Sequence, residues 1–120
     1  MSELIPRLCA AIERIGGFAP ELAEGSEDML LVEGVFSGVP AEWYLQITLR
    51  KGILSVDAWP IDEGLSPDRL LKVIFGVLKE PVCHRMVIGS VDVTKPGSSE
   101  QIREMLASVG ILLPQHWNSP

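Results

Sequence analysis

Apolar residues recur at helical spacing near the start of the chain: Leu4, Leu8, Ile12 and Ile15, with Ile5 and Ala11 beside them. This predicts a helix over 4–15 whose regular part begins close to Pro6, because proline is tolerated only in a first turn. Gly16–Gly17 should end it. Residues 18–28 read as a connection, with a short turn of helix at Leu22–Ala23. Residues 29–36 read as a strand, and Ser37–Gly38–Val39–Pro40 as a turn. From 43 to 50 the pattern alternates: Trp43, Leu45, Ile47 and Leu49 face one way, and Tyr44, Gln46, Thr48 and Arg50 face the other. Lys51–Gly52 then predicts a two-residue hairpin turn pairing Arg50 with Ile53. That register sets Leu49 against Leu54, Ile47 against Val56 and Leu45 against Ala58, an apolar face. The opposite face sets Thr48 against Ser55, Gln46 against Asp57 and Tyr44 against Trp59. A slip of one residue would mix the two faces.

Ser66–Pro67–Asp68 predicts a helix start, and apolar residues from Leu70 to Leu78 cover more than half of the helix that follows, up to Pro81. Residues 85–93 predict a strand in which Gly89 marks a bulge, a bend or a division into two. Ser98 and Gln101 have capping-box spacing ahead of a stripe of Ile102, Met105, Leu106 and Val109, with Gly110 as the stop. Ile111, Leu112 and Leu113 should fold back on the core, and 114–120 read as a tail. The expected organisation is one α+β domain over 1–113, in the order α-β-β-β-α-β-α. Its antiparallel sheet carries helices on one face.

Composition adds exclusions. The 120 residues are 47% hydrophobic and 22% charged, which is globular rather than disordered. The net charge of −6 argues against a nucleic-acid binder. No apolar run is long enough to span a bilayer, and the N-terminus carries no signal-type pattern, so a cytoplasmic location is expected. Cys9 and Cys83 read as reduced, buried thiols.

Catalytic signatures are missing from the sequence. It has no phosphate-binding glycine loop, no nucleophile elbow and no C-x-x-C or H-E-x-x-H pattern, so no metal or cofactor is expected. Cys83 and His84, with Asp92 nearby, would form a nucleophile–base set only if adjacent strand residues faced the same way, which they do not. Asp57, Asp62 and Glu63 read as solvated acids.

Two features point to binding instead. From Arg14 to Arg50 there is no basic residue but six acids: Glu21, Glu24, Glu27, Asp28, Glu33 and Glu42. The second hairpin face presents Tyr44 and Trp59 beside Gln46 and Asp57, a polar–aromatic mixture of the kind enriched at interfaces. The expected binding set is therefore Tyr44, Gln46, Asp57, Trp59, Glu24, Glu27, Asp28 and Glu42. Its partner would be a protein with a basic or partly apolar patch, rather than nucleic acid or membrane.

The size, the acidic balance, the N-terminal helix, the three-strand meander and the two later helices together resemble class I type III secretion chaperones. The resemblance spans most of the chain and is carried by architecture, with no family motif. It departs where the family has two strands between the later helices and a longer closing helix. It implies a homodimer whose surface holds an extended segment of a secreted effector. The leading expectation is a non-enzymatic chaperone or inhibitor of one bacterial protein. The alternatives are a toxin immunity protein, a phage-encoded inhibitor or, from another class, a small enzyme or ligand-binding domain around Asp57 or His84.

Overall fold

A computed structural model of the chain describes residues 3–23, 27–60 and 86–117. Within them the fold is α+β, in the order α1 (Leu4–Ile15), β1 (Ala19–Leu22), β2 (Met29–Glu33), β3 (Trp43–Arg50), β4 (Ile53–Pro60), β5 (Met86–Asp92) and α2 (Ser98–Ala107). The strands form one five-stranded antiparallel sheet in sequence order. The helix expected over 66–80 lies outside the described residues.

The hairpin adopts the register its alternation demands, from Arg50 opposite Ile53 to Trp43 opposite Pro60. Lys51 and Gly52 take φ of 52° and 78°, the left-handed pair that matches the twist of the flanking strands. β2 then aligns Leu30 with Ile47 and Val32 with Leu45, and β5 aligns Val91 with Leu54. The apolar positions of four strands thus share one face. Leu4, Ile5, Leu8 and Ile12 of α1 and Ile102 and Leu106 of α2 join that face in a single core, and all six are fully buried.

Several elements differ from expectation. Residues 19–22, read as part of a connection, form β1, which pairs with β2 from Ala19–Glu33 to Leu22–Leu30. Its sequence, Ala-Pro-Glu-Leu, carries no alternation because β1 is a border strand with little to bury, and a border is where proline is tolerated. β2 ends at Glu33 rather than at 36. The chain turns away at Gly34, where a Cβ would stand 2.7 Å from Phe18 Cδ1. Phe36 then stacks on Phe18 at a centroid distance of 5.4 Å. β5 is one strand, with a register shift that leaves Ile88 as the extra residue between the Val56–Gly89 and Asp57–Val87 pairs.

α2 starts at Ser98 with Gly97 as its N-cap and without a side-chain cap bond, so the expected capping box does not form. Ser98 is instead buried. After the helix, the Ile111 N–H donates to the Leu106 carbonyl at 3.0 Å, which turns Ile111 into the core and leaves Leu112 outside. The expected tail is also anchored. Trp117 is 8% exposed and belongs to the core, and its carbonyl accepts a hydrogen bond from the Arg103 guanidinium.

A buried tryptophan at the end of the described chain predicts that Trp117→Ala destabilises the fold by about 3 kcal/mol. Equilibrium urea unfolding would measure it. A loss within a few tenths of a kcal/mol of zero would return this segment to the status of a tail.

Candidate functional site

The second face of the sheet does not present the free polar–aromatic surface that the sequence suggested. Tyr44 is 5% exposed, Gln46 4% and Trp59 7%. Met29 and Leu31 on β2 are buried on the same side. The cross-strand pairing of Tyr44 with Trp59 is as expected. The polar groups between these rings serve the fold: the Trp59 indole N–H donates to Gln46 Oε1 at 2.6 Å across a strand diagonal. Asp57 is half-buried and engaged in a further contact. A buried aromatic pair with an internally satisfied amide is interior, so these four residues form no open platform.

The Tyr44 hydroxyl marks where this interior meets the acids. Its pKa lies above the usual tyrosine value, first because burial disfavours the phenolate, then because the Glu33 carboxylate lies close and hydrogen-bonds the hydroxyl. Glu21 adds to the repulsion.

The remaining acids do not gather into one rim. Glu42 stands immediately before β3, with φ of 67°. Asp28 lies at the opposite end of that strand, where its carbonyl accepts the Leu49 N–H at 2.9 Å. Seven residues of extended chain separate the two ends, about 23 Å, more than twice a physiological screening length. Glu27 and Asp28 are exposed, and Glu24 lies outside the described residues.

Of the nucleophile–base set, Cys83 and His84 lie outside the described residues, as do Asp62 and Glu63. Asp92 is described and is committed to a turn. Its Oδ1 accepts from the Thr94 N–H at 3.0 Å and from the Thr94 hydroxyl at 2.6 Å. Those two bonds hold its carboxyl below the ordinary value. The Cys9 thiol is pushed up, by burial and then by Glu13 one helical turn away, which favours the inert protonated form. No group of three or more metal-ligating side chains occurs among the described residues.

A concave surface lies at the border of this sheet. Among the described residues β5 has one strand neighbour, β4, and no described strand pairs with its other edge. α2 runs beside it and leaves a groove of about 470 Å³. Ile88, Gly89 and Ser90 form the strand wall; Gln101, Glu104 and Met105 form the helix wall. A Cβ on Gly89 would stand 3.1 Å from Met105 Sδ, so the missing side chain is what lets the helix approach. Val87, on the other side of the strand, is 65% exposed. The sequence reading missed this site. Its signal is Gly89: the pattern offers a bulge, a bend or a division there, and the bulge forms beside it at Ile88, but the pattern does not show the close approach of Met105.

No protein-family model, curated protein or solved structure matches this chain. No described helix is long and apolar enough to cross a membrane.

Tyr44 is the single tyrosine of the chain, so its ionisation can be followed by ultraviolet absorbance without interference. The native protein should titrate above the ordinary value of about 10. Its folded pKa is raised, so the stability contributed is complete below the unfolded pKa and is lost as pH rises through the folded one. Glu33→Gln should lower the midpoint while leaving it above the ordinary value, because burial remains. A native midpoint equal to that of the unfolded chain would contradict the buried placement of this ring.

Proposed function

We propose that this protein is a small non-enzymatic binding module that holds an extended segment of one protein partner along β5, in the manner of a dedicated chaperone or inhibitor. The observation that carries the reading is the border of β5, which pairs with no strand among the described residues, beside the groove against α2. An extended segment can add a strand to such a border. Main-chain hydrogen bonds supply affinity, and every second side chain reaches into the groove. Ile88 and Met105 offer apolar contact there, and Glu104 offers a negative charge.

The matching segment alternates apolar residues with basic ones. The net charge of −6 favours encounter with such a partner over an acidic one. The bulge at Ile88 limits continuous pairing to Gly89–Asp92, so the segment engages a short stretch and depends on the groove for the remainder. Two copies of the chain can use the same border against each other, which is the homodimeric form of the reading.

A photo-crosslinking residue at Val87 tests this in the source cell, with the same residue at Glu42 as the control. The Val87 probe should capture one protein partner, or a second copy of the chain, and Ser90→Lys should reduce the yield about tenfold by placing a charge on the border. Capture from Glu42 with none from Val87 would place the partner elsewhere.

A further inference from the structure

We propose that the cavity between α1 and the chain beyond α2 binds a small organic carboxylate with an aromatic or branched aliphatic body. It lies away from the β5 border and does not depend on the reading of that border. The cavity holds about 340 Å³, the size of a small-ligand site. Arg7, Ala11 and Arg14 reach it from one face of α1, because residues separated by four and by three stack on the same side of a helix. Pro114, His116 and Trp117 form the facing wall.

The charge of this cavity runs against that of the molecule. In a chain of net charge −6, the described residues lining it include two arginines and a histidine but no acid. Neither arginine is held in an ion pair among the described residues. Their Cα atoms are two helical turns apart, about 10 Å, so their long side chains flank the mouth and can converge on one anion.

Arg14 alone would be explained by the C-terminal end of the helix dipole. Arg7, in the first half of the helix, has no such explanation, and Ala11 between the two keeps the space open. The floor is apolar, made by Ala11, Pro114 and Trp117, with the partly exposed Ile15 beside them. An inorganic anion would leave that floor in contact with water, whereas a carboxylate on an apolar body uses both parts. The facing wall is built in advance. The Trp117 N–H donates to the Pro114 carbonyl at 3.0 Å, and the Arg103 guanidinium holds the Trp117 carbonyl. His116 is engaged in a contact of its own and adds a ring at the rim.

The test uses 2-naphthoate as the probe, with 2-naphthalenemethanol as its uncharged counterpart and inorganic phosphate as the bare anion. Binding is read from the Trp117 indole resonance, assigned with Trp117→Phe. Naphthoate should shift that resonance and bind about tenfold more tightly than the alcohol, the scale of a charge-assisted hydrogen bond. The exposed double substitution Arg7→Gln with Arg14→Gln should abolish that preference while thermal unfolding stays unchanged. Equal binding of acid and alcohol would overturn the anion half of the proposal, and phosphate competing as well as naphthoate would overturn the apolar half. No shift of the Trp117 resonance at millimolar naphthoate, or an unchanged preference in the double variant, would overturn the site itself.

Discussion

The structure depends on one constraint, the pairing of Arg50 with Ile53 across a two-residue turn. Side chains alternate along a strand, so that single pairing decides the side of the sheet for every residue of β3 and β4. Ile47, in the middle, is fully buried between Leu30 of β2 and Val56 of β4. The neighbouring strands extend the same apolar face, and both helices close over it. Moving the turn by one position would send Leu45, Ile47, Leu49 and their partners outward, and the helices would lose the surface they cover.

The same register assembles the second face, with a consequence for binding. Tyr44, Gln46 and Trp59 meet there because the turn places them together. Once together they satisfy each other, the indole N–H by the amide oxygen. Large rings are strong interface residues only when they remain accessible. Here they are interior, which shifts the candidate interaction surface from a sheet face to a sheet border. That border follows from the topology of the described residues, in which β1 and β5 are the end strands of the meander, each with one strand neighbour. β1 is four residues long and carries a proline, a blunted edge. β5 is longer, its bulge protects part of it, and α2 turns the remainder into a groove.

The hairpin was legible in the sequence because alternation and turn chemistry are local and agree with each other. α1 was legible for the same reason, its apolar stripe ending at a glycine pair. β1 was not: a border strand buries little, so Ala19–Leu22 has no pattern to show. The anchoring of Trp117 was not legible either, because it depends on Arg103 fourteen residues away. For Tyr44, Gln46 and Trp59 the pairing was right and the exposure was wrong, whereas Glu27, Asp28 and Glu42 are exposed as expected. Alternation states which residues share a face, and it does not state whether that face meets water. The acids from Glu21 to Glu42 are close in sequence, yet Asp28 and Glu42 stand at opposite ends of β3.

Amide hydrogen exchange on the free protein tests the central claim, that Tyr44, Gln46 and Trp59 are interior and that the β5 border is available to a partner strand. The account predicts slow exchange along β3 and at the Trp59 indole N–H, with outward-facing amides of β5 exchanging orders of magnitude faster. A Trp59 indole that exchanges as fast as an exposed one, or β5 amides as protected throughout as those of β3, would contradict it.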